Sequence, residues 1–164
     1  MYQEHFTGTV RETIQPLLDG LGFSLVELAV GRLKGSPRVS CVIYRPGGVG
    51  INECARASEL ILPRLQTVEG LADVSLEVSS PGIERALRSP SEYGIFTGRG
   101  VRVLAGDATE WLSGVIARAD GTTLWLRRGP GTVELAISSI RRARLDYAAE
   151  VEENKETEEA DHAI

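Results

Sequence analysis

Val10, Ile14, Leu17, Leu18 and Leu21 recur at spacings of 4, 3, 1 and 3, which is one face of an amphipathic helix. Pro16 falls inside this run and predicts a bend or a shorter helix. Gly20 and Gly22 end it. Residues 23–33 then alternate, with Val26, Leu28 and Val30 on one side, and residues 38–44 alternate in the same way. Gly35-Ser36-Pro37 between them reads as a hairpin turn, and Pro46-Gly47-Gly48 closes the second strand. Asn52 suits the N-cap of a second helix, along which Cys54, Ser58, Ile61 and Leu65 share a face. Pro63 leaves the end of that helix open. Val74, Leu76 and Val78 alternate with Ser75, Glu77 and Ser79 in a third strand. The order α-β-β-α-β predicts two helices packed on one face of a small sheet.

Beyond Ser89-Pro90 the pattern changes to short strands separated by turns. Strands are predicted at 100–105, 111–118, 122–128, 132–137 and 140–146, divided by Gly106-Asp107, Asp120-Gly121 and Gly129-Pro130-Gly131. Asp120-Gly121 is the strongest hairpin signal in the chain. Five short strands without a long helix point to a small barrel. Residues 148–164 contain only Val151 and Ile164 as large apolar residues and are expected to form an acidic, disordered tail.

Charge follows the same divisions. The 164 residues carry a net −5, but residues 148–164 hold seven acids against Lys155, a balance of −6, and the rest is therefore +1. Residues 93–147 hold eight arginines and five acids, or +3, and no lysine. The body is thus neutral to mildly basic, with its positive charge toward the C-terminal half. Apolar residues at 42% and charged residues at 25% fit a soluble globular protein. No apolar run reaches the ~18–20 residues of a membrane span. The first ten residues lack the basic start and apolar stretch of a secretory signal, so a cytoplasmic location is expected.

Enzyme signatures are missing. There is no phosphate loop and no nucleophile elbow, and neither lysine sits where burial could activate it. Cys41 and Cys54 fall in apolar patterns and read as reduced packing residues. A zinc site with His5 and His162 would need a ligand from the acidic tail, so no metal and no cofactor are expected. Glu77 and Glu84, separated by a turn, are the only acid/base pair to consider. Carboxylates in such positions are ordinarily solvated.

Residues 76–87 read LEVSSPGIERAL. A strand ends at Ser79-Ser80, and Pro81-Gly82 supplies a turn in which glycine permits positive φ. Arg85 and Arg88 follow. Serine hydroxyls and turn amides beside two arginines suit a phosphate or an acidic protein surface. Equally, the turn ends the strand and Arg85 pairs with Glu84 or Glu77.

This segment resembles the L-E-V-S-S-P-G-[LI]-[DE]-R signature of the RimP family of bacterial ribosome maturation factors. Leu21-Gly22-Phe23-Ser24-Leu25-Val26-Glu27-Leu28 and Gly50-Ile51-Asn52-Glu53-Cys54 resemble its lead into the first strand and into the second helix. Glu92, Phe96 and Gly98 are similar to its interdomain stretch, and Ile140-Arg141-Arg142-Ala143-Arg144-Leu145 to its ending. Ala86 departs from the family, which usually has proline there.

The resemblance implies an α+β protein of two domains. An α-β-β-α-β two-layer sandwich at residues 1–90 would precede an Sm-like all-β barrel at 91–147 and the tail at 148–164. It further implies a cytoplasmic, non-catalytic factor that binds the immature 30S subunit, contacting 16S rRNA and a small-subunit protein near the decoding centre. A fused N-terminal domain would block ring formation, so a monomer is expected. Candidate contact residues are Ser79, Ser80, Gly82, Arg85, Arg88, Arg127, Arg128, Arg141, Arg142 and Arg144. In a strand, Arg142 and Arg144 would share one face and Arg141 would take the other. Trp111 and Trp125 could stack on bases, although core packing is expected for at least one. The alternative is a protein–protein adaptor that does not contact RNA.

Overall fold

The computed structural model describes residues 2–162. The protein is α+β, with four α-helices and two sheets among those residues, and divides into two compact units, Met1–Pro81 and Gly82–Ile164. The break precedes the expected 90/91 boundary, because residues 85–92 are tied into the second unit. Leu87 N–H donates to the Ala143 carbonyl, Leu145 N–H donates to the Arg85 carbonyl, and Arg85 pairs with Glu92.

In the first unit the order is α1 (Tyr2–Leu21), β1 (Ser24–Leu33), β2 (Ser36–Tyr44), α2 (Ile51–Gln66) and β3 (Ser75–Ser79). β1 and β2 form an antiparallel hairpin, and α2 carries the chain across so that β3 pairs parallel with β2. Val10, Ile14 and Leu18 from α1 and Ala57, Ile61 and Leu65 from α2 pack with Val39, Cys41 and Ile43 of β2. Pro16 neither ends nor shortens α1. Its missing N–H and its ring lie on the exposed side of the helix, where water can serve the freed carbonyl. Pro63 is likewise held inside α2. The helix N-cap is Gly50 rather than Asn52, and Glu53 reaches back to accept the Gly50 N–H at 3.0 Å. In β1 a bulge between Leu25 and Glu27 adds one residue. Leu25 is therefore buried in place of the expected Val26, while Leu28 and Val30 keep their predicted face.

The second unit opens with α3 (Pro90–Ile95) and continues as β4 (Gly100–Ala105), β5 (Leu112–Ala119), β6 (Thr123–Arg128), β7 (Gly131–Ala136), a 3-10 turn (Ile137–Ser139), β8 (Ile140–Leu145) and α4 (Tyr147–His162). All five predicted strands are present. They form one antiparallel sheet in the order β7-β6-β5-β4-β8. Among the described residues no ladder joins β7 to β8, so the expected barrel is not closed by pairing. Asp120 fixes the β5–β6 hairpin, since its carboxylate accepts the Thr122 and Thr123 N–H groups at 3.0 and 2.7 Å. Those bonds hold its pKa below the ordinary carboxylate value.

The acidic segment is a helix and not a disordered tail as far as His162; residues 163 and 164 lie outside the described residues. Its polarity gives it no core of its own, yet three contacts hold its first turns. Asp146 accepts the Ala149 N–H, Glu150 pairs with Arg99 at 2.9 Å, and the Glu153 carboxylate accepts the Gly129 N–H at 3.0 Å. Ala149, in its first turn, is buried.

Candidate nucleic-acid interface

The residues of the LEVSSPGIERAL segment have separate fates. Ser79 ends β3, half-buried, and with exposed Ser80 borders a groove of about 500 Å³ lined also by Gly50, Cys54 and Ser58 in the first unit. Gly82 does not adopt a positive φ. The turn instead runs from Gly82 to Arg85 and is closed by the Arg85 N–H on the Gly82 carbonyl at 3.1 Å. Ser79 and Ser80 belong to the first unit and Arg85 and Arg88 to the second, so neither unit alone carries the expected phosphate cradle.

Arg85 is structural. Its guanidinium meets the Glu92 carboxylate at 2.8 Å, and the two side chains are only 10% and 2% exposed. This partner, Glu92, differs from the two carboxylates expected from the sequence. Glu92 Oε2 also accepts the backbone N–H groups of Arg88 and Ser89, both at 2.8 Å, which fixes the start of α3. Ser89-Pro90-Ser91-Glu92 is a capping signature that would have revealed both α3 and this carboxylate. Tyr93 is buried alongside, and desolvation followed by the neighbouring Glu92 charge pushes its pKa up to about 12. Glu77 pairs with Arg38 across the β2–β3 ladder, and Glu84 is exposed. Burial, then Cys54, pushes the Cys41 thiol up to about 11. It is a packing residue. The side chains of His5 and His162 lie outside the described residues.

The remaining arginines divide in the same way. Arg127 is half-buried, with its Nε unpartnered, and Arg128 Nε donates to the Ser113 carbonyl at 2.7 Å. These two are held against the sheet. Arg88, Arg141 and Arg142, by contrast, all line one groove of about 460 Å³, together with Ser89, Thr122 and Ser138. Arg141 occupies the β8 side of a bulge opposite Leu104/Ala105 and donates to the Ala108 carbonyl, which secures the β4–β5 loop. Arg142 and Arg144 stand opposite Leu104 and Arg102 of β4, two residues apart and therefore on one face. Arg144 also donates to the Glu84 carbonyl at 3.2 Å. Neither tryptophan is in the core. Trp125 is half-buried in β6 with Arg118 over its ring at 4.6 Å, and Trp111 precedes β5, 38% exposed.

Residues 13–84 match the RimP N-terminal domain. Over 136 residues the chain is 28% identical to a protein of Borrelia hermsii (strain HS1 / DAH) named Ribosome maturation factor RimP, covering 83% of this chain and 93% of that protein. The chain thus carries the N-terminal domain of the RimP family and is similar to a RimP protein over most of its length. The matched span ends at Glu84, so the Arg85–Glu92 pair and the arginine-lined groove lie in the half that the domain match does not reach. Arg85 of the LEVSSPGIERAL segment thus holds the first residues of the second unit together, whereas Arg88, Arg141 and Arg142 line the groove.

Proposed function

We propose that this chain is a non-catalytic ribosome maturation factor of the cytoplasm that binds the immature 30S subunit as a monomer and assists its assembly. Kinship with the Borrelia hermsii ribosome maturation factor supports the ribosomal role. The observation that carries the RNA part is the groove that gathers Arg88, Arg141 and Arg142 with Ser89, Thr122 and Ser138. Guanidinium groups and hydroxyls lining one groove suit the phosphates of 16S rRNA. The β4–β8 pairing, which brings the last strand beside the first, supports reading the second unit as a variant of the Sm-like barrel. A small-subunit protein near the decoding centre would be the second partner, engaged through the first unit, where Ser79 and Ser80 border their groove. Binding energy, spent on one arrangement of rRNA and protein, would perform the work without bond chemistry.

Arg88→Ala/Arg142→Ala tests this reading. Each lost phosphate contact should lower the slope of log K against log salt by about one, so the double variant should bind 30S precursors with a slope shallower by about two. Co-sedimentation across a salt series reads that slope. An unchanged slope with unchanged affinity would favour the adaptor that does not touch RNA.

A further inference from the structure

Trp111 is an exposed aromatic of the second unit that, like Tyr147, lies outside the groove lining. The guanidinium carbons of Arg102 and Arg142 each lie 5.6 Å from its ring centroid. Arg144 stands directly opposite Arg102 across the β4–β8 ladder. Three cations thus share one sheet face over two strands, and among the described residues none of them has a carboxylate partner. Like charges directly opposite each other destabilise a sheet. The face is left in a state that an anion would relieve, and the anion's neighbour is a π surface.

The loop that carries Trp111 is itself held, because Arg141 is tied to the Ala108 carbonyl. The backbone leading to the ring is thereby restrained, which lowers the entropic cost to whatever stacks on it. A ligand with alternating negative charges and planar rings matches this layout. Inorganic phosphate would use only the arginines, and a duplex keeps its rings inside the stack.

We propose that Trp111, Arg102, Arg142 and Arg144 form a binding site for single-stranded RNA, in which an unpaired base stacks on Trp111 or on the guanidinium planes beside it and flanking phosphates engage the arginines. The site deepens the ribosomal reading above and rests on it. It differs from the groove in selecting unpaired nucleotides, where the groove reads phosphates alone.

Fluorescence anisotropy with a labelled single-stranded octaribonucleotide and an abasic strand of equal length and charge tests the site on the full chain. The native protein should prefer the base-bearing strand about tenfold, and Trp111→Ala should abolish that preference while Trp111→Phe retains most of it. Arg142→Gln should weaken both strands and reduce the salt slope by about one. Equal binding of the two strands by the native protein overturns the proposal, as does a preference that survives in Trp111→Ala. Displacement of the RNA by poly-glutamate as effectively as by unlabelled RNA overturns it in favour of an acidic protein partner. Co-sedimentation with 30S subunits run in parallel separates this failure from that of the broader reading. A native protein that migrates with 30S but fails the strand comparison sinks only the stacking site, whereas one that ignores 30S sinks the ribosomal role.

Discussion

Glu92→Ala should cost the second unit about 3–5 kcal/mol, measured as a lower denaturation midpoint with an unchanged m-value. Glu92 is 1% exposed, and its carboxylate serves the Arg85 guanidinium and two backbone N–H groups. Truncation takes the Glu92 charge away from a guanidinium in a site that is almost dry, and frees the amides that start α3. Desolvating a lone charge costs more than the pair contributes net, so removing both charges is milder than removing one. The double variant Arg85→Met/Glu92→Leu should recover much of the loss, less about 1–3 kcal/mol for the abandoned N–H groups. Equal destabilisation by the single and double variants would contradict this account. The consequence for function is indirect but large. Arg88 of the groove follows three residues after Arg85 and has its own N–H on Glu92, so its position relies on the pair.

The second large effect concerns helix α4. A Cβ at Gly100 would run into the Asp146 carbonyl and stand 2.6 Å from Glu150 N and 2.8 Å from Glu150 Cβ. These are backbone and near-backbone atoms of the start of α4, which cannot swing aside like the end of a long side chain. The Gly100 N–H also donates to Glu150 at 3.1 Å, and its carbonyl accepts the Asp146 N–H at 2.8 Å. Gly100→Ala should therefore force the helix off the sheet, break the Arg99–Glu150 pair and destabilise the unit by about 1–3 kcal/mol. Amide hydrogen exchange over residues 147–155 should rise sharply, with a matching loss of helical circular dichroism. Protection equal to that of the native chain would mean that α4 is not seated by these contacts.

The elements whose signals are local could be read from the sequence alone. The helix faces Val10-Ile14-Leu18 and Ile61-Leu65, the alternation of β2 and β3, and the Asp120-Gly121 hairpin each state their structure within a few residues. Features fixed by distant partners were not legible. The bulge at Leu25/Glu27 is set by register with β2, and it exchanges Val26 for Leu25 in the core. The acidic helix lacks an apolar face, and its anchors Arg99 and Gly129 lie about 25–50 residues upstream. For the site, the local sequence allows Arg85 either to face a ligand or to pair with Glu84 or Glu77. The true partner, Glu92, needed the Ser89 capping signature to be recognised. Arg141 and Arg142 were legible as a basic pair, but their groove with Arg88 exists only because residues 87–90 fold against β8. Trp111 was assigned to a strand that begins one residue later, which concealed its exposure.

We propose that this chain binds the small ribosomal subunit through phosphate contacts. Sedimentation of the purified protein with 30S subunits, 50S subunits, 70S ribosomes and immature 30S particles, over a range of salt, tests it most directly. The account predicts migration with 30S and its precursors, with affinity falling log-linearly as salt rises. Absence of migration with every particle, the immature ones included, would contradict it.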